Sequence, residues 1–185
     1  MLAIVQLSQD SIINAAVAIL NEFGLSDMTM RRVAKQLNVA PGALYWHFKN
    51  KQELIDATSR HLLAPLLEAG VDGSQQTRTA RETCVMMREL MLATKDGAEV
   101  VSAALSNQAL REELEATLSS SSDGVDSVGA FTLLHFVVGA VLTEQTQVQL
   151  QAITGENSDL DDFETRFNTG VEIVIAGQEA VRHIR

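Results

Sequence analysis

A single cysteine, Cys84, leaves this 185-residue chain without a partner for an internal disulfide, so covalent cross-links cannot stabilise it. A reducing cytosol is the simplest setting for such a chain, and Cys84 itself reads as a small buried hydrophobe. Prolines number two and aromatic residues make up 4%. With long Ala/Leu/Val/Glu-rich stretches and no alternating β-branched runs, that scarcity argues against sheet and for an all-α protein. No apolar run reads as approaching the roughly 18 residues of a membrane span, and residues 1–7 lack a basic leader region. A soluble, unexported, cytoplasmic protein with no membrane partner is therefore expected. There is also no Gly-rich phosphate loop, no His/Cys/Asp cluster at metal-ligand spacing and no Gly-x-Ser-x-Gly elbow. An enzyme is accordingly disfavoured: no catalytic residue, metal or cofactor is expected.

A chain that is 46% apolar can bury a proper core, and its length suits a small unit joined to a larger one. The net charge of −10 would discourage contact with nucleic acid if it were spread evenly. It is not. Residues 1–65 hold six Lys/Arg against five Asp/Glu, whereas residues 66–185 hold eight against nineteen. The first block can approach phosphate, while the acidic remainder confers solubility and repels nonspecific contact.

Within that first block, Ser8 suits the cap of a helix whose apolar positions Ile12, Ile13, Ala16, Ile19, Leu20 and Phe23 recur at three- and four-residue steps, with Gly24 at its end. Thr29 suits the cap of a second helix, with Val33, Ala34 and Leu37 on one face and Arg31, Arg32 and Lys35 toward solvent. Asn38 tolerates the left-handed conformation that ends helices, and Pro41 suits the first position of the next. Two short helices must therefore meet across a few residues, as in a helix-turn-helix. Tyr45, Trp46, His47 and Phe48 follow in succession. Side chains about 100° apart around a helix cannot all face inward, so some of these four face a partner.

The run Leu44-Tyr45-Trp46-His47-Phe48 followed by Lys49-Asn50-Lys51 resembles the signature of the TetR family of one-component bacterial regulators. The likeness extends back through residues 8–23 and forward to about residue 67. Later segments, residues 94–100, 135–147 and 170–179, resemble the ligand-binding domain of the tetracycline repressors. The resemblance implies that Leu44 and Phe48 enter the core while Tyr45, Trp46 and His47 project toward DNA. It matches Thr29, Tyr45 and Lys51 to phosphate-holding positions, which set register, and Arg31 to a position that reaches a base edge, with Arg32 beside it. At the start of the recognition helix the chain departs from those repressors. Pro41, Gly42 and Ala43 carry no hydrogen-bonding side chain, so readout there rests on backbone approach, apolar contact with a thymine methyl, or neighbouring residues.

Loops are expected at residues 70–76, 119–124 and 154–158. They separate a helix at about 77–94, another at 98–118, and two long ones at 125–152 and 159–184; Asp159, Asp161, Asp162 and Glu164 make an acidic start to the last. Met86, Met87, Leu90, Met91, Val101, Ala104, Leu105, Leu114, Thr117 and Leu118, with His135 as a core or pocket histidine, lie where the family keeps its effector cavity. Clustered methionines make adaptable apolar walls. The repressors' metal-binding His falls at Val101, their metal-shell Glu at Thr143 and one ring-binding Asn at Thr83, so a magnesium-tetracycline effector is disfavoured. Val128, Phe131, Val138 and Leu142 on one long helix, and Phe167, Val171, Val174 and Val181 on the other, are too apolar for a free surface. Family precedent makes them a homodimer seam, with Gly139, Ala140, Ala176 and Gly177 admitting close helix crossings.

The reading is an all-α DNA-binding transcriptional regulator. It has a three-helix helix-turn-helix domain over residues 1–50 and a helical effector-binding and dimerisation domain over residues 51–185, of which 51–67 form the connecting helix. It is expected to be a repressor released from palindromic operator DNA by a small, largely apolar effector. The alternative is an interaction or structural protein of the same fold without such an effector.

Overall fold

The computed structural model describes residues 7–68, 78–155 and 162–182, and every regular element among them is α-helical. In chain order these are α1 (Gln9–Phe23), α2 (Met30–Gln36), α3 (Pro41–Leu44), α4 (Lys51–Leu67), α5 (Ala80–Leu92), α6 (Gly97–Ala104), α7 (Gln108–Ser119), α8 (Ser127–Thr154) and α9 (Phe163–Arg182). The expected loop at residues 70–76, most of that at 154–158 and the acidic residues Asp159 and Asp161 lie outside the described residues.

Local chemistry sets most helix ends. Ser8 caps α1 through a reciprocal bond with Ser11, and Gly24 ends it at φ 88°, where a side chain would be strained. Thr29 Oγ1 accepts the Arg32 amide at the start of α2, and Asn38 takes the left-handed conformation at φ 54° before Pro41 opens α3. Thr79 and Glu82 form the capping box of α5, and the hydrogen bonds from Thr79 hold the Glu82 carboxyl below its ordinary pKa. The single helix expected over residues 98–118 is two. Asn107 Oδ1 accepts the Leu110 amide and caps a new helix, while its Nδ2 donates to Asp56 Oδ2 at 2.8 Å. A side chain that caps locally competes with helix continuation, and here the competitor is fixed from another element.

α1 packs against α2 and α4, and α4 carries the chain onto α5, α6 and α7; α8 lies against α5, α6, α7 and α9. The apolar interior is continuous from Ile12 and Leu44 through Leu63 and Met87 to Val137 and Val171. By length and composition α8 is apolar enough to cross a membrane, contrary to the expectation that no run would be. Its inward residues Leu133, Leu134, Val137 and Val141 are fully buried in the protein core.

Two close approaches join α8 to α9. A Cβ on Gly129 would lie 1.7 Å from Gln178 Oε1, and one on Gly170 would lie 2.2 Å from the Phe136 ring. Both lie within the chain, apart from the expected seam positions Gly139, Ala140, Ala176 and Gly177. Among the described residues, Gly139 and Gly177 have nothing within 4 Å of such a Cβ. The crossing is reinforced where Gln178 Oε1 accepts the Asp126 amide at 3.0 Å.

Candidate nucleic-acid interface

α2 and α3 meet through a tight turn in which Val39 N–H donates to Ala34 O at 3.0 Å and Asn38 N–H donates to Lys35 O at 3.1 Å. α3 is only one turn long, and the aromatic residues continue past it; His47 and Phe48 both donate their amides to Leu44 O at 2.9 Å. This geometry sorts the four consecutive bulky residues. Leu44 and Phe48 are buried, Tyr45 is 51% exposed, Trp46 is 91% exposed and His47 is half-buried. A ring as large as Trp46 left almost wholly in water gains nothing from the chain's own core.

Pro41 and Gly42 are exposed beside that turn and Ala43 is half-buried. Among the described residues a Cβ on Gly42 would meet nothing within 4 Å, so no contact with them requires glycine there. On α2, Arg31 and Lys35 are exposed one turn apart. With Asp27, Thr29, Arg32 and Gln36 they line an open concavity of about 590 Å³. Lys35 and Gln36 were absent from the predicted contact set. The four-residue step from Arg31 to Lys35 was the available signal, because it puts both cations on one face.

Two of the predicted contact cations, Arg32 and Lys51, have internal partners. Arg32 pairs with Asp27 and lies 3.7 Å over the Phe23 ring, so its guanidinium is held against α1 rather than standing clear in solvent as expected. Lys51 Nζ donates to Leu25 O at 3.2 Å. An ammonium has three donors, so this bond leaves two for a phosphate.

The predicted effector set divides. Met87, Met91, Val101, Ala104, Leu114 and Leu118 are fully buried, while Met86, Leu90, Leu105 and Thr117 are half-buried at their edge. His135 does not belong with them. It is exposed on α8, its ring tilted 35° against Phe131 with centroids 4.1 Å apart and its Nδ1 donating to Phe131 O at 2.7 Å, because position 135 falls on the outer face of the helix. Among the positions matched to the repressors' metal site, Val101 is buried with no donor atom, and Thr143 is exposed with its hydroxyl given to Gly139 O.

The predicted seam divides as well. Val128, Phe131 and Val181 are exposed, and Leu142 and Val174 are half-buried. Val138, Phe167 and Val171 are buried within the chain and cannot present a face to a second copy. The apolar periodicity of α8 and α9 serves two faces, and only the outer one is open. That face includes a cleft of about 340 Å³ between the N-terminal end of α8 and the C-terminal part of α9, lined by Val128, Ile173, Val174, Gly177 and Val181 among others.

Residues 12–58, which contain every predicted DNA contact, match the model of the bacterial regulatory proteins of the tetR family. The chain is similar to the class A tetracycline repressor protein from transposon 1721 of Escherichia coli, at 33% identity over 76% of this chain and 68% of that protein. It resembles the crystal structure of Mycobacterium smegmatis BioQ, with a TM-score of 0.79 and 32% identity over 95% of this chain and 99% of that one. It also resembles BioQ bound to its natural double-stranded DNA operator, with a TM-score of 0.74 and 30% identity over 94% and 98% of the two chains. The chain belongs to the tetR family of bacterial regulatory proteins, and it is a DNA-binding regulator of transcription, not an enzyme.

Proposed function

We propose that the chain is a cytoplasmic, homodimeric repressor that holds a palindromic operator and releases it on binding a small, largely apolar effector. The observation that carries this reading is the joint exposure of Arg31, Lys35, Tyr45 and Trp46 on α2 and the α3 turn, in a fold shared with a protein solved on its operator. Thr29, Tyr45 and Lys51 hold phosphates, and Arg31 reads a base edge. Pro41, Gly42 and Ala43 bring backbone and methyl groups to the groove wall, and Trp46 and His47 flank them. Arg32 acts from beneath, fixing the start of α2. Residues 1–50 form the DNA-binding part, residues 51–185 the effector and dimer part, and residues 51–67 the joint between them.

The outer stripe of exposed Val128, Phe131 and His135 with half-buried Leu142 on α8, and of exposed Ile173 and Val181 with half-buried Val174 on α9, forms the two-fold seam. Exposed Gly139 and Gly177 let the partner's helices approach. Two-fold symmetry then places the heads about 34–36 Å apart, one turn of DNA, or at a related multiple. The effector enters between α5, α6 and α7, where Met87 and Met91 are packed shut and must part around it; unbranched, polarizable methionines do this at low cost. Val101 and Thr143 offer no metal-binding pair, so magnesium is not required.

Selection of bound sequences from a random DNA pool tests the operator reading, and an inverted repeat is the expected outcome. Titrating the resulting complex with lipophilic compounds, and with tetracycline with and without magnesium, tests the effector. Release by magnesium-tetracycline alone would overturn the apolar pocket. Release by nothing in the panel would favour the effector-free interaction protein.

A further inference from the structure

We infer that Asp96 is a positioning residue for DNA reading, a carboxylate clasp that fixes the turn before α2 to α8. Asp96 stands at the start of α6 in the left-handed conformation, φ 55°. Its Oδ2 accepts the Leu25 amide at 2.8 Å, from the turn between α1 and α2, and its Oδ1 accepts Gln149 Nε2 of α8 at 2.5 Å. Leu25 is thus held through both of its backbone polar groups, since its carbonyl receives Lys51 Nζ at 3.2 Å. Gly24 allows the approach. A Cβ there would lie 2.6 Å from Asp96 Oδ2.

Both ends of the clasp are anchored. On the body side, Gln145 of α8 donates to Met91 O and Thr94 O at 3.1 and 2.9 Å and accepts the Ala98 amide at 2.9 Å, so the loop carrying Asp96 cannot shift without α8. On the other side, Lys95 donates its amide to Asn21 Oδ1 at 3.1 Å and its ammonium to Glu22 O at 3.4 Å, gripping the end of α1. The turn so pinned leads directly to Asp27, which holds Arg32, and to Thr29, which caps α2. The angle at which Arg31 meets a groove therefore follows α8. α8 also carries the proposed seam, so the clasp sets each head relative to the partner subunit. The proposal rests on the operator reading above, but the clasp itself can be measured without DNA.

The test compares full-length Asp96→Gly, Asp96→Asn and Gln149→Ala by hydrogen exchange of the Leu25 amide and by affinity for the selected operator and for unrelated duplex. Glycine is comfortable at positive φ, so Asp96→Gly removes the carboxylate without backbone strain; asparagine keeps an acceptor and tolerates the same conformation. Asp96→Gly should speed exchange at Leu25 and lower operator affinity about tenfold, the scale of one charge-assisted hydrogen bond, with affinity for unrelated duplex unchanged. Asp96→Asn should restore both. Gln149→Ala, far from the DNA, should lower operator affinity while Leu25 stays protected, and it serves where Asp96→Gly folds poorly. Unchanged Leu25 exchange in Asp96→Gly, or equal losses on operator and unrelated duplex, would overturn the inference. Wild-type protein that prefers no sequence would instead defeat the operator reading, and Leu25 exchange would still decide the clasp.

Discussion

The guanidinium of Arg32 lies 3.7 Å over the ring of Phe23 and pairs with Asp27, whereas its neighbour Arg31 stands exposed on α2. Two adjacent arginines thus divide the work: one braces the N-terminal helices and the other is open to DNA. Arg32→Ala should lower stability by about 1 kcal/mol, a figure kept small because the ion pair is more than a third exposed. Arg31→Ala should leave the melting temperature unchanged and cost roughly 1–3 kcal/mol of operator affinity, with relaxed preference at one base pair per half-site. Thermal unfolding and binding measurements on both variants separate the roles.

Val128 is 65% exposed on α8 and Val138 is 4% exposed on the same helix, so a charge placed at each should act differently. Val128→Glu or Phe131→Glu should give folded monomers with little operator affinity, because the seam is lost while the core is intact. Val138→Glu should unfold the chain outright, since it buries an unpaired carboxylate. Sedimentation with circular dichroism distinguishes the two outcomes; an unchanged dimer in Phe131→Glu would place the interface elsewhere.

Arg88 and Glu144 form a two-bonded pair across α5 and α8, at 3.0 and 2.6 Å, and each side chain is only 14% exposed. Removing one partner leaves the other charge in a poorly solvated place. Glu144→Ala should therefore cost about 3 kcal/mol in denaturant unfolding, and replacing both residues by apolar ones of similar size should recover much of that loss.

Burial raises the Cys84 thiol from its ordinary value near 9 to about 12. The thiolate is the reactive form, so a thiol reagent at pH 8 should label Cys84 only through opening of the core. Labelling should accelerate in mild denaturant. Immediate stoichiometric labelling of native protein would show that α5 is not packed as described.

The short-range chemistry of the N-terminal helices was legible in the sequence because each signal acts within a few residues. Ser8, Thr29, Asn38 and Pro41 punctuate the helices as they read, and the crowding of Tyr45, Trp46, His47 and Phe48 forces some of them outward. Signals that depend on distant partners were not legible. Asn107 breaks the helix expected across residues 98–118 with a bond to Asp56, and Arg32 is drawn inward by Asp27 and Phe23. α8 and α9 carry apolar residues on two faces, and periodicity alone cannot say which is covered from within. Val138, Phe167 and Val171 were assigned to the seam and lie in the core, while His135 was assigned inward and lies outside. The close crossings at Gly129 and Gly170 depend on which residue stands opposite, here Gln178 and Phe136.

The central claim, that α2 and the α3 turn read operator DNA, is tested most directly by the salt dependence of affinity for the selected operator and a scrambled duplex. Wild type, Lys51→Ala and Arg31→Ala should be compared. Wild type should prefer the operator strongly and lose affinity steeply with salt; Lys51→Ala should weaken both duplexes alike and reduce the slope by about one. Arg31→Ala should narrow the gap between operator and scrambled duplex. Full affinity and full discrimination in both variants would contradict the assignment of this face to DNA.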